Sequence, residues 1–496
     1  MSHRQRLTLV AAIFGSAVVT IDGSVVGVAL PAIERDLGGG LTTQQWVSNA
    51  YLLTLASLIL IGGSLGDIFG ERRVFSIGIA AFGVLSVACA LAPTIETLIV
   101  ARALQGAAGA LVTPSSLAII VAAFAPSERG AAIGSWTAWG GVASLIGPLA
   151  GGAIVDQFSW RWIFAINAPI VLATIAVVLA AVPPSTHTSR RHVDFLGAGL
   201  CALGLGGVVF ALIEQPHYGW ASPVIFVPLA GGIVAFGSFL AYERRAPEPM
   251  LKLELFSRRN FAVGNAETLS MYAGLAILFF FLTIYLQQVS GYTALESGLA
   301  TLPVTVVMFL LSRRFGALAD RYGPRLFMGG GPLVAAAGIL LLLRVGMHPS
   351  YVAEVLPALL LFALGLSLTV SPLVATVLAD VDESDAGIAS AINNAIARVA
   401  GLIGVSLVGV VVASTLVGDT FAANEESVHA FHQVMLICAV LVAAGGIAGA
   451  IGIVNPRRAV PAAKCAGGQL VGVPEPAVQT APSPSRTVVD PAPGEA

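Results

Sequence analysis

Charged side chains are scarce in this sequence of 496 residues. Lys and Arg number 25 and Asp and Glu 27, which is 10% of the chain, whereas 56% is hydrophobic and the mean hydropathy is +0.88. Soluble domains carry about 25% charged residues, and disordered chains contain few apolar ones, so the composition excludes both classes. A net charge of −2 gives no basic surface for nucleic acid. We expect a protein that crosses the lipid bilayer many times.

The sequence also lacks the residues of an ATP-driven pump or an enzyme. Its two lysines, Lys252 and Lys464, lie outside any G-x-x-x-x-G-K-[ST] loop, the phosphate-binding sequence of many ATPases. The four cysteines have neither metal-site nor disulfide spacing, and the seven histidines lie in loops or near predicted helix ends. No catalytic triad is evident. We expect no enzyme activity, no metal site and no cofactor.

Apolar segments of the length that a membrane-crossing helix needs, about 20 residues, occur fourteen times between residues 7 and 454. These segments do not alternate as transmembrane β-strands do, so the predicted fold is all-α. With the N-terminus in the cytoplasm, twenty Lys and Arg fall on the cytoplasmic side, and only Arg35, Arg161 and Arg344 fall on the external side. This asymmetry follows the positive-inside rule and predicts that both termini are cytoplasmic.

A pattern that occurs twice indicates two related halves. G-x-L-x-D-x-x-G spans residues 63–70, between the second and third spans, and residues 316–323, between the tenth and eleventh. Transporters built from such repeats bind substrate near the membrane midplane, between the halves. Six helices per half predict four regions: an N-terminal half at 1–182, a linker with two inserted spans at 183–261, a C-terminal half at 262–454 and a disordered cytoplasmic tail at 455–496.

A few ionisable residues lie deep inside the predicted spans. Asp22 is in I-D-G-S-V-V-G-V-A-L-P of the first span, Arg102 is in L-x-x-x-R-x-x-Q-G-x-x-G of the fourth, and Arg398 is in the thirteenth. Such residues are costly in a membrane and usually functional. Arg102 requires a buried partner or water, and Asp22 is the natural candidate. The alternatives are a permanently neutral or hydrogen-bonded Asp22 and a purely structural ion pair.

The fifth span contains G-P-L-A-G-G at 147–152. A Gly-Pro pair removes a backbone donor and permits a bend, and the glycines allow another helix to approach closely; ordinary packing of small residues is the alternative. The segment W-R-W-I-F-A-I-N-A-P at 160–169 is interpreted as an anchor at the membrane interface.

Taken together and in this order, these motifs resemble those of the fourteen-helix drug:proton antiporters of the major facilitator superfamily, the type of EmrB and QacA. The resemblance implies the major facilitator fold, export rather than import from the motif at 147–152, and a proton gradient as the source of energy. The chain departs from the family's pattern at Ala143, where glycine is frequent, and at Ile68 and Glu71, where basic residues are usual.

The candidate site residues form three groups. Those for proton coupling are Asp22, Arg102, Glu267 and Arg398. Those for conformational change are Gly63, Asp67, Gly70, Arg72, Gly106, Gly147, Pro148, Gly151, Gly152, Gly316, Asp320, Arg321 and Gly323. Those for a substrate cavity are Gln105, Trp136, Trp139, Phe281, Tyr285 and Asn394. Two alternatives stay open: Glu267 reaches the membrane surface, and the aromatic residues face lipid or the core.

The resemblance implies an antiporter in the bacterial plasma membrane that works as a monomer. Its partners would be protons and amphipathic or cationic small molecules, exchanged by alternating access. A dedicated exporter of one endogenous metabolite or lipid, a membrane sensor that transports nothing, and an importer are the alternatives.

Overall fold

The structure is a computed structural model that describes residues 1–183, 194–247, 249–379, 381–382, 385–413, 415–416 and 420–455. These residues are helical or in short connections, and none of them is in a β-strand. The predicted tail from 456 onward and most of the linker at 183–194 lie outside the described residues. The same holds for six basic residues used to predict the orientation, namely Arg190, Arg191, Arg457, Arg458, Lys464 and Arg486.

The N-terminal half consists of α1 (His3–Leu37), α2 (Gly40–Phe69), α3 (Glu71–Ala90), α4 (Ile95–Ala123), α5 (Pro126–Gln157), α6 (Arg161–Ala165) and α7 (Asn167–Ala181). The inserted pair is α8 (Phe195–Tyr218) and α9 (Pro223–Glu243). The C-terminal half consists of α10 (Arg259–Gln288), α11 (Ala294–Tyr322), α12 (Pro324–Leu341), α13 (Leu356–Ala379), α14 (Ala386–Ala413) and α15 (Glu425–Gly452).

The fourteen predicted spans correspond to helices of the structure. Among the described residues, thirteen helical segments are long and apolar enough to cross a membrane, with α6 and α7 counted as one segment. The segments Gly40–Ile59 and Ile61–Phe69 of α2, which meet at 50°, make a fourteenth if they form one span. Large apolar side chains also cover the outside of the bundle; Phe309, for example, is 84% exposed. A surface of this kind fits lipid rather than water.

The two halves repeat the same turn and the same kind of close helix packing. Gly70 between α2 and α3 and Gly323 between α11 and α12 have φ angles of 89° and 88°, a conformation that favours glycine. In the N-terminal half, a Cβ on Gly106 would overlap the Tyr51 backbone of α2. In the C-terminal half, a Cβ on Gly338 would lie 2.8 Å from the Ala358 carbonyl oxygen of α13. Glycine is therefore needed where the helices of each half touch.

One end of the bundle, at which α1 begins, is called the basic face, because Arg72, Arg73 and Arg325 lie there. The other end is called the opposite face. Hydrogen bonds join the halves near the opposite face. Gln45 of α2 donates to the Val405 carbonyl of α14 at 2.8 Å, and Gln287 of α10 donates to the Val28 carbonyl of α1 at 3.0 Å. In this structure the opposite face is closed.

The inserted pair lies against the contact between the halves. α8 packs on both α2 and α14, and α9 packs on α8. Val209 and Ile213 of α8 meet Leu402 of α14 in a small apolar cluster. The Trp46 indole of α2 donates to Glu214 of α8 at 2.7 Å. α8 therefore bridges the two halves.

Candidate functional site

Asp22 and Arg102 form an ion pair in the interior of the N-terminal half. Asp22 of α1 is 0% exposed and Arg102 of α4 is 1% exposed, and Arg102 Nη1 donates to Asp22 Oδ2. Both side chains lie in the interior because the helices that carry them cross it. The pairing predicted from the sequence is confirmed.

Three further polar side chains complete a network around Asp22. Gln105 Nε2 donates to Asp22 Oδ1 at 2.9 Å and to Ser86 Oγ of α3 at 2.8 Å. Asn167 of α7 donates to the same two atoms, at 3.1 and 3.3 Å. Asp22 thus accepts hydrogen bonds from three side chains, which is the pattern of an ionised carboxylate.

Further groups that favour a positive charge contact the Arg102 guanidinium. Its Nε donates to the Val47 carbonyl at 3.2 Å, and its Nη1 also donates to Gln105 Oε1 at 2.7 Å. The rings of Tyr51 and Phe164 lie 4.2 and 5.6 Å from its central carbon, within range of a cation–π interaction. A proton that reaches Asp22 would remove the charge that Arg102 binds, and every group of the network would have to rearrange.

Arg398 approaches this network from the other half. It is half-buried on α14 and interacts electrostatically with Tyr51, whose ring faces Arg102. Among the described residues, the Arg398 side chain has no hydrogen-bond partner. Tyr51 therefore lies between a paired arginine of one half and an unpaired arginine of the other.

Glu267 is separate from this network. It is 0% exposed on α10, and α12 and α15 cover it. The alternative in which Glu267 reaches the membrane surface is wrong. The helix begins at Arg259 rather than at 262, so Glu267 lies deeper than the sequence indicated.

The motif at 147–152 forms a joint between three helices near the opposite face. Gly147 faces Ser24 and Gly151 faces Val25, both of α1. A Cβ on Gly152 would lie 2.6 Å from the Leu295 Cα of α11. A Cβ on Gly298 of α11 would in turn lie 2.6 Å from the Pro148 carbonyl oxygen. Asp156, one turn further along α5, accepts the backbone N–H groups of Ala294 and Leu295 at 3.0 and 2.8 Å.

The two repeated turns lie on the basic face. Arg72 donates to the Leu179 carbonyl of α7 at 3.2 Å, and Arg321 lies 5.4 Å from the Tyr322 ring. Asp67 and Asp320 both have interaction partners in the structure. A Cβ on Gly63 would lie 3.7 Å from the Pro114 Cβ of α4, and Gly316 is buried. These residues line the ends of the halves, as their positions in the sequence predict.

The predicted substrate-cavity residues do not form one group. Phe281 and Tyr285 are 0% exposed in the apolar core; Tyr285 stacks on Phe431 with ring centres 4.1 Å apart and donates to the Gly346 carbonyl. Their inclusion in a cavity is corrected, because they lie on the face of α10 that packs against the rest of the C-terminal half.

The other four cavity candidates differ in exposure. Gln105 belongs to the Asp22 network, and Trp136 is buried in an apolar cluster of α1, α4 and α5. Trp139 is 55% exposed, and Asn394 is half-buried and bonds to the Ser390 carbonyl of its own helix. Trp139 and Asn394 therefore stay as candidates for contact with a substrate.

The segment at 160–169 does more than anchor a helix. Trp160 is 3% exposed and its indole donates to Asp36 at 2.9 Å, while Asn167 enters the Asp22 network. Asn167, Ser86 and Tyr51 are members of the site that the sequence did not predict. One signal was that Asn167 is the one amide in an otherwise apolar helix start. In the described part of the chain no cluster of three or more His, Cys, Asp or Glu could hold a metal ion.

Comparison with known proteins identifies the family. The model of the Major Facilitator Superfamily matches residues 12–405. The puromycin resistance protein pur8 of Streptomyces alboniger is 36% identical over 412 residues, with 81% of each chain covered. The multidrug resistance protein Stp of Mycobacterium tuberculosis is 33% identical, with 92% of this chain and 85% of that protein covered.

A solved structure shows the same fold. A bacterial homologue of the human lysosomal transporter Spinster, in an inward-facing and unoccupied conformation, matches with a TM-score of 0.66 at 14% identity. The match covers 91% of this chain and 97% of that one. The chain belongs to the Major Facilitator Superfamily, as a multi-pass transporter of small molecules in the inner membrane, and its motifs and relatives place it with the fourteen-helix drug:proton antiporters.

Proposed function

We propose that the protein is a proton-coupled exporter of amphipathic or cationic small molecules. The observation that carries this proposal is the fully buried Asp22–Arg102 pair, in which Asp22 also accepts hydrogen bonds from Gln105 of α4 and Asn167 of α7. A buried pair of this kind stabilises a protein poorly compared with apolar residues of the same volume. Its presence is better explained by a function that uses the charge.

The proton acts by competing with Arg102 for Asp22. When Asp22 is ionised, Arg102 binds it and the helices of the network are held together. When a proton binds Asp22, Arg102 loses its counter-charge and turns to other acceptors. We take the bundle to have two states, one that favours the charged pair and one that favours the protonated acid. Binding of a proton then changes the conformation, because it shifts the balance between the two states.

In this proposal the basic face is cytoplasmic and the opposite face is external. The structure is closed at the opposite face by contacts of α5 with α11 and of α2 with α14. Alternating access requires these contacts to break while Asp67, Arg72, Asp320 and Arg321 hold the basic face together. The motif at 147–152 would then serve as the joint about which the external side closes again.

The substrate range is proposed from the relatives. One of them is named for multidrug resistance and one for resistance to puromycin, and both names fit export of small organic molecules. A dedicated exporter of one compound would protect cells from that compound alone, whereas a multidrug exporter would protect against unrelated ones. A membrane sensor that transports nothing would show no movement of protons on addition of substrate.

The test is an efflux assay with the isosteric variant Asp22→Asn. In everted membrane vesicles that transport a fluorescent cation, the variant should reach the membrane in normal amounts and lose uptake driven by a pH gradient. Asp36→Asn is the matched control, because Asp36 lies on the same helix but its side chain is 47% exposed. The proposal is contradicted if Asp22→Asn vesicles accumulate the dye as the wild type does.

A further inference from the structure

A second carboxyl group is buried in the C-terminal half under conditions opposite to those of Asp22. Glu267 is 0% exposed, and neither of its carboxyl oxygens has a hydrogen-bond partner among the described residues. Asp22, at the same degree of burial, accepts hydrogen bonds from three side chains. The two buried acids therefore have opposite hydrogen-bonding environments in the same structure.

The space around Glu267 is made by glycines of α15. A Cβ on Gly449 would lie 2.5 Å from Glu267 Oε2 and 3.2 Å from its Cδ, and a Cβ on Gly445 would lie 3.8 Å from its Cγ. The Met328 carbonyl oxygen of α12 borders the same space, 2.9 Å from the Gly449 Cβ position. The slot holds a carboxyl group with a backbone acceptor nearby and offers it no donor.

The nearby cations are engaged elsewhere. Arg259 donates to the Gly452 and Ile451 carbonyls at 2.7 and 3.1 Å, and Arg325 donates to the Ala450 carbonyl at 2.6 Å. Both thus bind the last carbonyls of α15, on the basic face. Arg398 of α14 forms no hydrogen bond in the described part of the chain, but its electrostatic interaction is with Tyr51 and not with Glu267.

Among the described residues, the other elements that pack on α10 bring no counter-charge to the slot. α13 contains no ionisable residue, and the arginines of α11, Arg313, Arg314 and Arg321, are exposed. Four ionisable residues of α15 lie at its far end, namely Glu425, Glu426, His429 and His432. The Cys438 thiol lies nearer, and it donates to the Gly274 carbonyl. α1 bonds to α10 at Gln287 and Gln288, near the opposite face. The charged residues of the segment before α10, Lys252 and Arg258, pair with Asp385 and Asp382, and Glu254 lies on the surface.

An ionised carboxylate in such a slot would be a buried charge without a counter-charge, which proteins avoid by binding a proton. We propose that Glu267 is a second proton-binding site of the transport cycle, occupied when the opposite face is closed. To release the proton, the carboxyl O–H bond breaks and water on the basic face takes the proton. Glu267 lies eight residues from the start of α10, about 12 Å at 1.5 Å per residue, so a shift of α15 away from α10 would suffice to admit water.

This inference rests on the proposed function, because it adds one proton to each cycle of the same exporter. Two protons per substrate sustain a steeper substrate gradient than one. For each unit of pH difference across the membrane, the loss of one coupled proton lowers the limiting substrate gradient about tenfold.

The experiment measures the number of protons moved per substrate in proteoliposomes, at the pH difference that balances a known substrate gradient. Glu267→Gln, which is isosteric with the neutral acid, should fold normally and move one proton fewer than the wild type. Glu243→Gln is the matched control, because Glu243 is also a buried glutamate, 2% exposed, but lies on the inserted pair; it should leave the ratio unchanged. An unchanged ratio in Glu267→Gln overturns the inference.

Infrared spectroscopy gives a second readout that does not depend on transport. The wild type should show an absorption of a protonated carboxyl group that Glu267→Gln removes, and Gly449→Ala, which crowds Oε2, should shift it. If Glu267→Gln removes no such absorption, Glu267 is not the proton carrier. Asp22→Asn separates the two proposals: loss of coupling in that variant, with an unchanged ratio in Glu267→Gln, refutes the second site alone.

Discussion

Replacing Arg102 with methionine should destabilise the protein strongly, because it leaves Asp22 buried without its counter-charge. Arg102→Met keeps the apolar stem of the side chain, but it removes the donor to Asp22 Oδ2 and the donors to the Val47 carbonyl and Gln105. Removing one partner of a buried ion pair lowers the free energy of unfolding by about 3–5 kcal/mol. An unpaired Asp22 binds a proton rather than stay charged, so the loss should be smaller in mildly acidic than in mildly alkaline buffer.

The double variant Asp22→Asn/Arg102→Met removes both charges and should recover most of this loss. The asparagine introduced by Asp22→Asn would still offer a carbonyl oxygen to the donors of Gln105 and Asn167. We expect the double variant to unfold within about 1–2 kcal/mol of the wild type, since an apolar replacement of a whole buried pair is often neutral. The non-additivity of the three variants gives the coupling energy directly.

The assay is equilibrium unfolding in mixed micelles by a denaturing detergent, at two pH values. Arg161→Met is the matched control, because it breaks the ion pair with Asp36, in which the two side chains are 37% and 47% exposed. Exposed pairs contribute about 0.2–1 kcal/mol. Two results would contradict this role of the Asp22–Arg102 pair. One is a loss of unfolding free energy in Arg102→Met no larger than that in Arg161→Met. The other is a double variant whose loss equals the sum of the losses in Asp22→Asn and Arg102→Met.

Three further changes test the contacts between the halves and the inserted pair. Asp156→Ala removes the acceptor of the Ala294 and Leu295 N–H groups. It should raise the labelling of cysteines introduced in the interior of the bundle, next to the opposite face. Unchanged labelling would contradict the role of Asp156 in closing this face. Gly298→Val would push a side chain into the Pro148 carbonyl and should also raise this labelling. Gly291→Val is the control, because Gly291 has open space around it but a φ of 74°; it should change local stability and leave the labelling unchanged. Trp46→Phe removes the hydrogen bond to Glu214 and should lower the unfolding free energy by about 1 kcal/mol; melting in detergent measures it, and an unchanged melting temperature would refute the bridge.

The spans and the pairing of Asp22 with Arg102 could be predicted because each depends on a strong local signal. A run of apolar residues has few alternatives to a membrane helix, and the repeated turn with Gly70 and Gly323 requires glycine at the same position in each half. A buried charge needs a counter-charge, and few candidates existed in the N-terminal half.

The uncharged members of the site carried weaker signals. Ser86, Asn167 and Tyr51 are residue types that occur throughout membrane helices. Only the packing of α2 and α3 against α4, and of α7 against α1 and α3, brings them to Asp22 and Arg102. Phe281 and Tyr285 were misplaced for a related reason. α10 is apolar on nearly all sides, so its sequence does not show which side faces the core.

Glu267 shows how a small error in a helix boundary changes the interpretation of a residue. A start at 262 puts Glu267 near the membrane surface, whereas the start at Arg259 and the cover by α12 and α15 put it in a closed slot. The glycines that make the slot, Gly445 and Gly449, lie far away in the sequence, on the last helix of the bundle. No local pattern connects them to Glu267.

Proton movement driven by substrate is the measurement that bears most directly on coupling at Asp22. Proteoliposomes with a pH-sensitive dye inside and no imposed gradient receive a transported cation on one side. The wild type should move protons in the direction opposite to the substrate. Asp22→Asn should still move substrate down its gradient, but with a proton signal that is smaller by at least the proton that Asp22 carries. Proton movement of wild-type size in Asp22→Asn would contradict proton coupling at this site.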